Sequence, residues 1–313
     1  MGASCRALGH GANGSVALVN YEGQMCALKV GRNKRQAASF EKERQMMQLL
    51  AGAGGAPFAL AVCPKVPALL MTFRSGTTLS DLLKGEAHLS DWDRLSVAFM
   101  LTASLQEVHL AGVVHADLKA DNVIVELSDA GHPAAVSIID FGLAVPVGGC
   151  HAPRPPNKDK TWYCECFFSG GAMGPLCDVQ GLGAILQSLC EGLEYVPPQL
   201  QELVSRTSLA EHALRPGLEE LLAVLRRDLC GEEEDEKCEE QKEEEEKCPP
   251  IAKPFSAHRW TPMGCHLSPI SSLSGSVRPW RDCWKPSVAG GGYTPLFGCL
   301  LQVLEVWGIG VYV

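Results

Sequence analysis

Residues 113–125 read Val-Val-His-Ala-Asp-Leu-Lys-Ala-Asp-Asn-Val-Ile-Val, two runs of β-branched residues around a polar loop. Such runs read as short strands entering and leaving a tight loop. The loop sets Lys119 two residues and Asn122 five residues after Asp117. An acid, an ammonium and an amide aimed at one point suit phosphoryl transfer. Asp117 can accept a hydroxyl proton, Lys119 can steady the moving group, and Asn122 can hold a metal ion. A plain polar turn, in which Asp and Asn are common, is the alternative reading of this stretch alone.

The segments on either side narrow the choice. Gly9, Gly11 and Gly14 have the offsets of G-x-G-x-x-G, a weak signal in a chain with 32 glycines. The residues after them are more telling: Ser15 to Val19 reads as a strand, so the glycines form a flap between strands, not the start of a helix. Cys26-Ala27-Leu28-Lys29-Val30 is an apolar strand carrying one lysine, which in isolation would snorkel to solvent. Residues 36–50 have helical periodicity, with Phe40, Met46, Met47 and Leu50 near one face. Glu43 on that helix can pair with Lys29; Glu41 is its rival, and both can be solvated. A strand is expected over 66–73, a polar link over 74–78, and a long amphipathic helix between Asp91 and Gly112 carrying Leu95, Phe99, Leu101, Leu105 and Val108. A turn at 128–133 leads to the strand 136–140, which ends in Asp140-Phe141-Gly142. A carboxylate at a strand end can ligate Mg²⁺ or can simply sit in a turn.

The net charge of −9 is uneven: Glu232 to Lys247 holds eleven acids and three lysines, a net −8. The net charge argues against a nucleic-acid partner, but the rest of the chain is near neutral, so the overall charge says little about the folded part. Fourteen cysteines without regular spacing, behind an N-terminus lacking an apolar signal core, point to reduced thiols in the cytoplasm or nucleus.

Taken in order, Gly9-x-Gly11-x-x-Gly14-x-Val16, Ala27-Leu28-Lys29, Glu43, His115-x-Asp117-x-Lys119-x-x-Asn122 and Asp140-Phe141-Gly142 resemble a eukaryotic-type protein kinase over about residues 4–229. The resemblance implies an α+β, two-lobed fold: a small antiparallel-sheet lobe (about 4–73), a mainly helical lobe (about 78–229), and a disordered tail (230–313). It implies ATP and Mg²⁺. Lys29 would hold phosphates and pair with Glu43, Asp140 and Asn122 would bind the metal, and Asp117 would orient the attacking hydroxyl. Leu8, Val16, Ala27 and Ile124 would touch adenine, with Met71 as gatekeeper and Thr72, Phe73 and Arg74 as hinge. Met47, His115 and Phe141 would stack in an internal spine, His115 packing instead of catalysing. Lys119 resembles serine/threonine kinases, so the expected partners are proteins carrying Ser or Thr.

The chain also departs from that pattern. Ala116 stands where most such kinases carry an arginine that pairs with a phosphate, so activity is expected not to depend on phosphate at Thr161 or Tyr163. The usual Ala-Pro-Glu is missing from residues 161–168, Glu165 being the nearby acid. Asp178 resembles the start of the helix that anchors the catalytic loop, and Arg215-Pro216 the Arg-Pro helix. Only 36 residues lie between Asp178 and Arg215, implying a reduced helical lobe. Cys150-His151 and Cys164-x-Cys166 fit no zinc-finger spacing and read as unpaired thiols and a surface histidine. The apolar end (residues 296–313) carries Gln302 and Glu305 and is not expected to insert into a membrane. Rival readings are a nucleotide-binding pseudokinase scaffold and a small-molecule kinase.

Overall fold

Residues 6–11, 14–63, 65–85 and 89–230 are described by a computed structural model of the chain. The expectations for the acidic run and the apolar end lie outside these residues.

Five strands form the first lobe: β1 (Arg6–Gly11), β2 (Gly14–Tyr21), β3 (Gln24–Val30) and, after helix α1 (Gln36–Leu50), β4 (Ala59–Cys63) and β5 (Ala68–Thr72). They pair antiparallel in the order β1-β2-β3-β5-β4. Side chains alternate across a strand, so Cys26, Leu28 and Val30 pack with Val19, Cys63 and Leu70 on one face. Ala27 and Lys29 fall on the other, where Phe40, Met46, Met47 and Leu50 of α1 close the core. That alternation carries Lys29 inward.

Gly14 sits at the turn of the glycine flap with φ +129°, and a Cβ there would lie 2.0 Å from the Val30 carbonyl oxygen. Gly9 has open space around its Cα. Gly14→Ala is therefore expected to cost about 1–3 kcal/mol in a urea titration, with Gly9→Ala near neutral. Equal losses at both positions would refute the close-approach argument.

The second lobe begins with β6 (Thr77–Thr78), inside the stretch expected to be a plain link, and helix α2 (Leu79–Lys84), capped by the Thr78 hydroxyl. Helix α3 (Asp91–Leu110) starts at a Ser90/Asp93 capping box. Its buried stripe is Val97, Leu101, Leu105 and Val108; Leu95 and Phe99 are only partly covered. Short β7 (Val113–Val114), β8 (Val123–Leu127), β9 (Pro133–Ile138) and β10 (Val145–Pro146) frame the polar loops, β6 pairing with β8 and β7 with β10. Helices α4 (Glu165–Ser169), α5 (Pro175–Cys190), α6 (Pro198–Arg206) and α7 (Leu218–Cys230) complete the lobe. Helix α3 packs on α5 and α7 around Leu101, Leu105, Leu182, Leu186, Leu221 and Leu225.

The result is the two-lobed α+β architecture expected from the motifs, with β4 as a strand that the sequence pattern did not announce. No helix among the described residues is long and apolar enough to cross a membrane.

Candidate active site

Lys29 leaves β3 toward α1, and its ammonium lies 2.9 Å from both carboxylate oxygens of Glu43. Glu43 shares the buried face because it lies three residues after Phe40 and four before Met47, neighbouring positions on a helix. Glu41 points elsewhere and pairs with Arg44, so the alternative left open in the sequence resolves to Glu43. The same ammonium reaches Asp140 Oδ1 at 2.8 Å, joining the two lobes through one cation. Burial works against the Lys29 charge, but Glu43 and Asp140 outweigh it and raise its proton affinity. Burial pushes the Glu43 carboxyl up against the pull of Lys29. Burial also opposes ionisation of Asp140, yet Lys29 holds it below its ordinary value. Asp140 keeps its side chain 39 % exposed. Asp140 is thus the carboxylate that the junction presents outward.

The polar loop after β7 is held by Asp178 of α5, whose carboxylate accepts the backbone N–H groups of His115 (2.7 Å) and Ala116 (2.8 Å). Gly181 permits this approach, because a Cβ there would lie 2.4 Å from the Leu118 carbonyl oxygen. His115 is fully buried, bonds the Ile139 carbonyl through Nε2 (3.0 Å) and packs edge-on against Phe141 at 4.9 Å. Asn122 donates through Nδ2 to the Asp117 carbonyl at 2.9 Å. Lys119 Nζ stands 3.4 Å from Asp117 Oδ2, and the Trp162 indole N–H donates to Asp117 Oδ1 at 2.8 Å. Asp117, Lys119 and Asn122 are thus held together in the polar loop, and the Ile139 N–H, donating to the Asn122 carbonyl at 2.9 Å, ties that loop to the residue before Asp140.

The residues expected around a bound nucleotide come from both lobes. Ala27 and Met71 are buried, paired opposite each other on β3 and β5, while Val16 and Ile124 are partly covered and Leu8 is 39 % exposed. Gly9, Gly11 and Gly14 border the flap, whose tip at residues 12–13 lies outside the described residues. Thr72 Oγ1 accepts the Phe58 N–H, and Arg74 donates to the Ala56 carbonyl. Those two side chains are thus engaged with the 56–58 segment.

A protein kinase domain model matches residues 3–240. The chain belongs to the protein kinase family. Among curated relatives, this kinase is 26% identical over 170 residues to sperm motility kinase 3A of Mus musculus, covering 50% of this chain and 31% of that one. It is 31% identical over 146 residues to human dual specificity testis-specific protein kinase 2 (45% of this chain, 25% of that one). It is 26% identical over 130 residues to ribosomal protein S6 kinase alpha-6 of Danio rerio (41% and 17%). The chain thus spans a third or less of the length of each of these three relatives.

The segment after Asp140 packs against the polar loop at Ala116. Ala116 has φ +64° and is buried among Val114, Val145, Tyr163, Phe167 and Met173. Tyr163 stacks on Phe167 at 4.1 Å. Arg154 lies 4.4 Å over the Phe167 ring, and Lys160 sits over Trp162 and Tyr163. Glu165 is exposed and has no ion-pair partner among the described residues. Arg215 turns instead to the Leu176 carbonyl (2.8 Å), Gln180 Oε1 (3.0 Å) and Cys164 Sγ (3.5 Å). His151 is not a surface residue: it is buried against Phe167 at 4.8 Å. Burial, with the cations of Lys42 and Arg154 nearby, pushes it down to about 4. Sequence reasoning missed Trp162 as the partner of Asp117; no local spacing announces a contact across 45 residues.

Proposed function

We propose that this kinase transfers the γ-phosphoryl group of Mg·ATP to Ser or Thr hydroxyls of protein substrates. The observation that carries the reading is the Lys29 ammonium shared between buried Glu43 and half-exposed Asp140. Such a cation is already oriented toward the place where phosphates would lie. The donor set fits Mg²⁺: Asp140 offers a partly exposed carboxylate. Asn122 spends its Nδ2 on Asp117, leaving its amide oxygen without a partner among the described residues. When bound, the ion would neutralise charge on the phosphates.

The chain's own residues supply the rest. Leu8, Val16, Ala27, Met71 and Ile124 would sandwich adenine, and backbone groups at 73–74 would hydrogen-bond its edge. Gly9, Gly11 and Gly14 would bring backbone N–H groups over the phosphates. Asp117 would take the proton as the substrate oxygen attacks phosphorus and ADP departs, with Lys119 facing the transferred group. Lys119 supports Ser/Thr over Tyr. Activity independent of activation-segment phosphate is part of the proposal: Ala116 offers no cation, Tyr163 is buried, and Arg154 and Lys160 rest on ring faces.

The test is transfer from labelled ATP·Mg²⁺ to a degenerate Ser/Thr/Tyr peptide library, wild type beside Asp140→Asn. Transfer to Ser and Thr is expected, lost by on the order of 10³-fold in the variant. One observation favours a second reading, a nucleotide-binding scaffold: the Trp162 indole already occupies Asp117 Oδ1. An ATP-dependent rise in melting temperature without transfer would select it. ADP formation without phosphopeptide would select a small-molecule substrate.

A further inference from the structure

Beyond the cleft, one cluster gathers side chains that nothing in the phosphoryl-transfer chemistry uses. Cys164 caps the start of α4, Cys166 lies within α4, Cys177 lies in the first turn of α5, and His212 comes from the 3₁₀ turn between α6 and α7. One ligand atom from each lies within 4.8 Å of every other. His212 Nε2 points between two of the sulfurs, 2.9 Å from Cys164 Sγ and 3.8 Å from Cys166 Sγ. Cys164 and Cys177 are buried, and Cys166 and His212 are partly covered. We propose that Cys164, Cys166, Cys177 and His212 bind one structural zinc ion.

The geometry needs little adjustment. Zinc bonds of about 2.3 Å to sulfur and about 2.0 Å to nitrogen put the corners of a tetrahedron roughly 3.5–3.8 Å apart. The widest separation in the cluster, 4.8 Å, is therefore about 1 Å too long at most. Three thiolates and one imidazole form a closed donor set with no position left for water, which makes the site structural. Soft sulfur donors in this arrangement select zinc over Mg²⁺ or Ca²⁺.

Charge gives an independent reason. Arg215 is 5 % exposed, and no carboxylate lies within 4.0 Å of it among the described residues. Its neutral acceptors are the Leu176 and Leu209 carbonyls and Gln180, and its remaining neighbour is Cys164 Sγ. A buried cation without an anion is costly. Zinc with three thiolates and a neutral imidazole carries one net negative charge, placed where Arg215 already points. Binding releases the three thiol protons to solvent. The metal would tie residues 164–166 to α5 and to the turn before α7, just beyond Trp162, which holds Asp117.

Sequence spacing hid this group. Cys164-x-Cys166 read as unpaired thiols, because Cys177 and His212 lie 11 and 46 residues past Cys166. Cys150 and His151 are not members of the cluster.

The experiment is metal analysis of the full chain produced in zinc-supplemented medium, together with the absorption spectrum after cobalt(II) exchange. The expected result is about one zinc per chain and the sulfur-to-cobalt charge-transfer and visible bands of a tetrahedral thiolate site. Cys177→Ser and His212→Ala should lower bound zinc at least tenfold, while Cys190→Ser should keep it. His212→Cys should keep the metal and shift the cobalt bands toward a four-thiolate pattern, so the assignment does not depend on variants that unfold. Zinc retained in both Cys177→Ser and His212→Ala, an unshifted His212→Cys spectrum, a Cys164–Cys177 disulfide by mass spectrometry, or wild type without metal and without cobalt–thiolate bands would each overturn it.

Discussion

Lys29→Met is expected to abolish phosphoryl transfer and to destabilise the fold by about 3–5 kcal/mol, because it strands a buried carboxylate. Glu43 is 1 % exposed, and Lys29 is the cation that offsets its burial. Without the ammonium, burial and the nearby Asp140 charge both raise the Glu43 carboxyl. A group whose folded value lies above its unfolded value favours the folded state at low pH and withdraws that support as pH rises through the folded value. The deficit of the variant should therefore be small in acid and grow toward neutral pH. Urea titrations at a series of pH values read this directly, and a deficit constant with pH would sink the argument. Lys29→Met combined with Glu43→Leu should recover most of the stability and none of the transfer, which separates the structural cost of the stranded acid from the chemical role of the ammonium.

The second large effect is expected at Asp178. Its carboxylate is 2 % exposed and accepts two backbone N–H groups from the polar loop, with His109 Nε2 at 2.9 Å as a third neighbour. Asp178→Ala leaves the His115 and Ala116 amides buried without acceptors, at about 1–3 kcal/mol each. Those same bonds hold Ala116 at φ +64°, a conformation a non-glycine residue leaves readily. A total loss of about 3–5 kcal/mol in chemical denaturation is expected. Faster amide exchange at residues 115–116 should accompany it, along with loss of transfer, although Asp178 touches no reacting atom. Asp178→Asn keeps one acceptor and should lose less. A variant within about 1 kcal/mol of wild type would show that the loop is held by other means.

Legibility in the sequence depends on how local each cause is. Helices α1 and α3 show their buried stripes in apolar spacing, and β3 shows as an apolar run, because each pattern repeats within one element. The choice of Glu43 over Glu41 was legible in principle: two residues along a helix turn a side chain to the far face, and Phe40 and Met47 fix which face is buried. Strand β4 escaped because Ala59-Leu60-Ala61-Val62-Cys63 has only five residues, small and not alternating, between Pro57 and Pro64. Trp162 on Asp117 and the convergence of Cys164, Cys166, Cys177 and His212 were illegible for a different reason. They join elements that are distant in the chain and adjacent only after α5 and α7 have packed on α3.

The Ala116 methyl group, set among Tyr163, Phe167 and Met173, has a thermodynamic consequence. A segment ordered by a phosphate exists as two populations whose ratio a second enzyme sets. A segment ordered by packed rings has one population, governed by the same apolar burial that holds the lobe beneath it. Its order is then part of the cooperative unit of the fold. Heating should melt the 161–169 segment and the helical lobe in a single transition, without an intermediate in which the lobe persists and the segment is loose.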